Sequence, residues 1–344
     1  VSEREAAGSP LPAHAGAPAP VHAGAGGGLD DDGQRPLVVV GDVVWDVLIR
    51  TNTALLTGGD TYGEVELAPG GSAANAAVWA RRCGLPTTFV GKVGRDRFGV
   101  LAEADLRDER VEAYLVRTDA HLTGTVAVWI DHEGQRSMVS GKGADHALLP
   151  QELPADLVGA ARHVHLSAWS FFDDPPRSAA RRAAGLAKAR GATLSLDPGS
   201  FQMIEAMGVE AFLAVTTDLG VDVLFPNYDE GRALTGERDP AAIAEALAPR
   251  YPGAVVALKL DEHGALVRDR DGRCTEVAPH SNRLVDATGA GDAFAGAFLS
   301  RWLRGRSAAE AARFAVRVSE WVIEHVGARA PVDDDLAALT SAPL

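Results

Sequence analysis

Gly289-Ala290-Gly291-Asp292 is the stretch whose residue types and spacing could do chemistry. It lies within Val285 to Gly296, which reads as a tight glycine turn running into a helix of small and apolar residues. A helix start exposes unpaired backbone N–H groups and the positive end of the macrodipole. Glycines let that backbone approach a phosphate without side-chain obstruction. Asp292 falls where the helix begins. A carboxylate inside an anion cradle would repel the anion if the cradle served stability alone. The arrangement makes sense if a phosphoryl group is transferred there and Asp292 takes a proton from the acceptor hydroxyl. The plainer alternative is an N-terminal cap on an ordinary glycine turn.

Other stretches bear on that choice. Asp286-x-Thr288-Gly289-Ala290-Gly291-Asp292 resembles the C-terminal signature of the ribokinase family, the PfkB-type carbohydrate kinases. Gly70-Gly71-Ser72-Ala73-Ala74-Asn75 resembles its N-terminal signature, which continues through Cys83-Gly84 to the run Val90 to Gly99. The two stand far apart and in the family's order. The resemblance covers roughly residues 37 to 330. It implies a three-layer, Rossmann-like (ribokinase-like) α/β fold with a mostly parallel sheet and a small β-strand lid. It also implies ATP-dependent transfer of the γ-phosphoryl group to a primary hydroxyl of a sugar. Asp292 would be the base, and the backbone at Gly289, Ala290 and Gly291 would hold the transferring oxygens.

The same resemblance assigns further positions. Leu37 to Val40 reads as a buried strand ending at Gly41-Asp42, and carboxylates there sit where open α/β sheets bind ligands. Asp46 would bind substrate hydroxyls, with Asp42 nearby as a contact or a turn residue. Val44 stands where the family often carries a polar residue. Gly70, Gly71 and Asn75 would touch the acceptor; an amide can donate and accept at once, which suits a polyol. Ser167, just after a strand, falls near another family contact. Asn227 and Glu230 resemble the family's Asn-x-x-Glu motif, which implies that Glu230 orders Mg²⁺ through water and that Asn227 lies near the phosphates. The same spacing also makes a helix capping box. Lys259 and Gly264 would lie along the nucleotide. Asp286 and Thr288 would hold K⁺ beside the anion hole, or Asp286 simply stabilises the turn. Gly199 and Phe201 stand where some relatives acting on anionic sugars carry Asn and Arg, so a bidentate anion clamp is missing there.

The elements that must position these residues follow from pattern. From about 153 to 260 short apolar strands alternate with Ala-rich helical stretches such as Arg177 to Ala189, the mark of a parallel sheet covered by helices. The segments 47–68 and 124–140 read as strands outside that sheet, the second pair turning at His132-Glu133-Gly134. They would form a lid that often supplies a dimer contact in the family, so a homodimer is expected. Residues 1–35 are Ala-, Gly- and Pro-rich and should be disordered. They lack the charged start and apolar middle of a secretory signal. Residues 36–332 make the kinase domain, and 333–344 read as a C-terminal tail.

Composition narrows the partners. The chain has 344 residues, 46% of them hydrophobic, and a formal net charge of -14. No basic surplus exists to offset phosphate repulsion, which argues against nucleic acid or an anionic membrane. No apolar run approaches the roughly 20 residues that span a bilayer. With only Cys83 and Cys274, neither a disulfide framework nor a zinc site is expected, and a reduced cytoplasm is the simplest home. Neither a P-loop nor a dinucleotide fingerprint is present: Gly91-Lys92 and Gly141-Lys142 lack the first glycine and final hydroxyl, and Phe294 replaces the third glycine after Gly289 and Gly291. A nucleoside kinase of the same family shares the cradle and the base, and stands as the second reading. A non-catalytic sugar or nucleotide sensor is the third, but it would not need Asp292.

Overall fold

The computed structural model describes residues 35–54, 57–130, 136–281 and 283–341. Nearly all of the expected disordered tail, and the turn at 132–134, lie outside the described residues.

In chain order the strands begin with β1 (Leu37–Val40), β2 (Val44–Thr51), β3 (Gly63–Gly70), β4 (Thr87–Gly94) and β5 (Glu112–Thr118). Next come β6 (Gly124–Ile130), β7 (Arg136–Gly141), β8 (His163–Ser167) and β9 (Thr193–Asp197). The last are β10 (Val223–Leu224), β11 (Val255–Lys259), β12 (Ala265–Arg268) and β13 (Cys274–Val277). Nine of them form one sheet in the order β13-β12-β11-β10-β9-β8-β1-β4-β5. Pairing is parallel from β5 to β11, and antiparallel for β11–β12 and β12–β13 at the other edge.

Three layers follow from the side-chain alternation of a strand. Leu37 and Val39 of β1 enter one apolar core, and Val38 and Val40 enter the other. A strand buried on both faces must be apolar throughout, as β1 is. The covering helices present small faces to it. In the helix Pro176–Ala189 the buried residues include Ala179, Ala180, Ala183, Ala184 and Ala187, at helical spacing. On the opposite face the helices Ser72–Arg82 and Ala290–Trp302 touch closely. A Cβ on Gly296 would stand 2.6 Å from the backbone nitrogen of Ala80 and 2.7 Å from the carbonyl oxygen of Ala76. Only glycine permits this approach.

The second sheet has the order β3-β2-β6-β7. Its strands cover the segments expected to form a lid. Register places Leu67, Val47, Ala127 and Val139 in one cross-strand row, hence on one face. Leu67 and Val139 on that face are exposed. Asp46 belongs to the opposite face. The Trp45 indole N–H donates to the Phe98 carbonyl at 3.1 Å, tying this sheet to the helix Arg97–Asp108.

Two boundaries differ from the sequence reading. The strand expected over Val221 to Phe225 is reduced to Val223–Leu224; Phe225 still donates to the Leu196 carbonyl at 3.0 Å, and Pro226, which has no N–H, carries the ladder no further. The segment read as a C-terminal tail carries the helix Asp334–Ser341. Asp333 caps it by accepting from the Leu336 N–H at 2.8 Å, and Leu336 is fully buried in the core.

Candidate active site

The helix Ala290–Trp302 starts at Gly289, whose φ of 77° is left-handed. A Cβ there would lie 2.6 Å from the Ala328 Cβ and 2.8 Å from its Cα, so turn geometry and crowding both demand glycine. No side chain caps this helix; the Ala290 N–H donates to the Ala287 carbonyl at 3.3 Å, and the next N–H groups of the first turn are left for an external acceptor. Asp286 anchors the turn below. Its Oδ1 accepts from the Thr288 N–H at 2.8 Å and its Oδ2 from the Gly327 N–H at 3.0 Å.

Asp292 and Asn75, 217 residues apart in sequence, meet directly: the Asn75 amide donates to Asp292 Oδ2 at 2.9 Å. The two signatures therefore build one site. Burial pushes the Asp292 carboxyl well above the usual carboxylate range. The Asn75 hydrogen bond and Lys259 oppose that shift, while Asp197 and Asp42 add to it.

Asp42 and Asp46 turn out to differ in surroundings. Asp42 accepts from the Ser72 N–H at 2.7 Å and the Ala73 N–H at 3.2 Å, so it caps the helix Ser72–Arg82. Gly71, with φ 94°, lets the chain pass: a Cβ would meet the Asp42 carbonyl oxygen at 2.7 Å. Asp46 sits on β2 against Gly70, where a Cβ would fall 2.6 Å from both carboxylate oxygens. Burial raises Asp46 to about 6, against the pull of Arg329. Ser167 is buried at the end of β8 and accepts weakly from the Trp169 N–H at 3.4 Å.

On the other side of Gly291, Lys259 Nζ lies 2.7 Å from Asp197 Oδ2 and 3.2 Å from where a Gly291 Cβ would be. Asn227 and Lys259 form a parallel bridge, so both project from the same sheet end. Asn227 and Glu230 make the capping box their spacing allows, with both bonds at 2.8 Å. Glu230 is 2% exposed, and burial raises it to about 7, with Asp197 adding to the shift. A cavity of about 570 Å³ adjoins this region, lined in part by Tyr228, Leu260, Asp261, His263 and Glu276. Its lining does not include Asp292. Gly264 closes the turn into the β12–β13 hairpin with φ 83° and makes a close backbone approach to Val277.

Two groups escaped the sequence reading. Arg329 donates from Nε to Asn75 Oδ1 at 2.7 Å, and its side chain is 2% exposed. Asp145, after β7, has a buried Oδ1 with no hydrogen-bond partner among the described residues; Gly124 makes room for it. A lone arginine in the small-residue run Gly327 to Pro331 was the available signal for the first. Nothing in local sequence marked the second.

The arrangement offers an uncapped helix start, a raised carboxylate beside it, a lysine across it, and the polar side chains of Asn75 and Asp46 on the far side. Residues 34–335 match the pfkB family carbohydrate kinases. The chain is 32% identical over 305 residues to an ATP-dependent ribose-1-phosphate kinase of Halopiger xanaduensis, covering 88% of this chain and 96% of that one. It is 31% identical over 266 residues to a fructokinase of Escherichia coli, covering 76% and 82%. Among solved structures, Arabidopsis thaliana ribokinase complexed with ribose and ATP superposes with a TM-score of 0.75 at 26% identity, covering 89% of this chain and 99% of that one.

Proposed function

The chain belongs to the pfkB family of carbohydrate kinases, and we propose that it transfers the γ-phosphoryl group of ATP to the primary hydroxyl of a neutral, unphosphorylated sugar. Asp292 takes the hydroxyl proton as the oxygen attacks. The first-turn N–H groups around Gly289, Ala290 and Gly291 take the charge that develops on the transferring oxygens. Asn75 and Asp46 hold the other sugar hydroxyls, with Gly70 and Gly71 giving them access. Lys259 and Asn227 face the nucleotide phosphates, and the cavity beyond Leu260 takes the base. Asp42 stands behind the acceptor, since its two oxygens already accept from the Ser72 and Ala73 N–H groups, whereas Ser167 accepts a single long bond and keeps its O–H for a sugar hydroxyl.

The observation that carries the neutral acceptor is the charge around it. Burial raises Asp42, Asp46, Asp145 and Asp292, and Asp42 adds to the shift of the other three. Four carboxyl groups at this end offer no positive charge to an acceptor already carrying phosphate. Arg329, the cation closest to Asn75, is occupied by three acceptors. The test is a panel of ribose, fructose, ribose 1-phosphate and adenosine with ATP, Mg²⁺ and K⁺. A free sugar should give the highest kcat/KM. Preference for ribose 1-phosphate or adenosine overturns the neutral-sugar reading, and binding without turnover on any of them would favour a sensor.

Mg²⁺, when bound with ATP, offsets phosphate charge. Glu230 fits an outer role toward it: a single buried carboxylate suits contact through water, and a dication nearby would drive its raised carboxyl to ionise. Asp286 and Thr288 suit a K⁺ site under the cradle, since Asp286 is buried and joins the turn to the Gly327 loop. Replacing K⁺ with tetramethylammonium should lower turnover; unchanged turnover removes that site.

Dimerisation through the small sheet belongs to the same reading. Val65 is 67% and Val139 71% exposed on a face turned away from Asp46, and a second copy would cover that apolar row. A reducing cytoplasm is supported by Cys83 and Cys274, both free. No helix among the described residues is long and apolar enough to cross a membrane.

A further inference from the structure

Arg329 ties together three segments that have no other reason to share a side chain. Its Nε donates to Asn75 Oδ1 at 2.7 Å, its Nη2 to the Gly70 carbonyl at 3.3 Å, and its Nη1 to Asp105 of the helix Arg97–Asp108. The loop carrying it is pinned on both flanks. The Trp79 indole donates to the Ala328 carbonyl at 2.9 Å, and Arg82 Nη1 donates to the Ala330 carbonyl at 2.9 Å. The guanidinium therefore has a fixed address.

An asparagine amide has two ends, and nothing local chooses between them. A guanidinium is a donor only. Facing Asn75, it accepts one orientation: oxygen toward Arg329, NH₂ toward Asp292. The flipped amide would set NH₂ against the guanidinium and oxygen against the Asp292 carboxylate, with both contacts repulsive. The observed amide favours the ionised form of Asp292 and engages its Oδ2, leaving Oδ1 for the acceptor proton.

We propose that Arg329 is a positioning residue that sets the Asn75 amide and, through it, the aim and ionisation of Asp292. This rests on Asp292 being the base. The other groups acting on Asp292 are Lys259, which helps its ionised form, and Asp197 and Asp42, which oppose it. Arg329 thus works against two carboxylates and burial. It touches no substrate itself.

The test compares Arg329→Lys, Asn75→Ala, their double variant and Asp292→Asn in the full chain, with the best sugar of the panel. Lysine keeps the charge but cannot reach all three acceptors. In Arg329→Lys, kcat should fall roughly ten- to a hundredfold, the range of a hydrogen bond to a charged group. KM for ATP should hold, and the acid limb of the kcat–pH profile should move to higher pH. On the Asn75→Ala background, Arg329→Lys should cost nothing further, because the contact it orients is gone. Losses that multiply, or an unmoved acid limb in a folded variant, overturn the proposal. Should Arg329→Lys fail to fold, Arg329→Met with Asp105→Asn removes the ion pair together and is read in the same way. If Asp292→Asn keeps normal turnover, the base assignment falls, and the proposal falls with it; a dead Asp292→Asn beside an unaffected Arg329→Lys sinks the positioning role alone.

Discussion

Lys259 and Asp197, at the ends of β11 and β9 on either side of β10, form an ion pair at 2.7 Å whose side chains are only 13% and 10% exposed. Burial works against the lysine charge, but Asp197 and Glu230 outweigh it and raise its pKa. The ammonium is thereby kept charged beside Gly291, where developing negative charge would need it.

Removing the lysine alone should be costly twice. Lys259→Met should lose turnover and also roughly 3–5 kcal/mol of stability, since Asp197 is left buried and unpaired. Lys259→Met with Asp197→Asn should recover most of the stability but not the turnover. Denaturant unfolding and steady-state kinetics on both variants check this. Equal stability of the single and double variants would mean the pair is solvated after all.

Asp292→Asn should lower turnover by about 10²- to 10⁴-fold, the usual worth of a general base. It should also stabilise the protein at neutral pH. The sign follows from linkage: burial raises the native carboxyl above its unfolded value of 3.8, so the native state binds more protons between those two values. Wild-type stability therefore falls as pH rises through that window. The variant carries no such penalty, so it should melt higher at pH 7, and the gap should close toward pH 3.8. A wild type that melts higher at pH 7 refutes the burial strain on Asp292.

The acid side of stability should be set by histidines inside the sheet. His163 and His165 both contact Ser195 Oγ, at 2.7 and 2.8 Å. Burial lowers His165 to about 4 and His163 well below its ordinary value of 6.5. The unfolded chain takes up these protons first, so stability is present above 6.5 and lost as pH falls toward 4. For His165 alone the loss should be roughly 3 kcal/mol. Urea unfolding from pH 7 to 4 measures it, and His165→Gln should show a shallower decline. Identical slopes would mean His165 is not the responsible group.

The apolar row on the small sheet gives a fourth expectation. Val139→Asp should convert a dimer to a monomer in sedimentation velocity while leaving the helix content unchanged. A wild-type chain that sediments as a monomer removes the interface.

The architecture was readable because parallel strands buried on both faces have no polar interruptions, as in Leu37 to Val40, and because Ala-rich helices punctuate them. The meeting of Asn75 with Asp292 followed from two motifs in order. The division of labour between Asp42 and Asp46 did not. Both stand near a strand end, and only the path of the chain at Gly71 commits Asp42 to the Ser72 and Ala73 N–H groups. Arg329 was less visible still. A long side chain in a short loop takes its direction from acceptors on Gly70, Asn75 and Asp105, none of which is close in sequence. Asn227 and Glu230 were legible as a capping box, yet spacing alone could not say that Glu230 is almost wholly buried.

The absent side chain at Gly296 has a mechanical result. With helix Ala290–Trp302 resting backbone to backbone on Ser72–Arg82, the proposed phosphoryl jaw and the proposed sugar jaw would be halves of one stiff block. They cannot open and shut against each other. On the proposed function, any movement that admits a sugar and then dries the site would belong to the outer four-stranded sheet. Bulk added at residue 296 would wedge those jaws apart from behind.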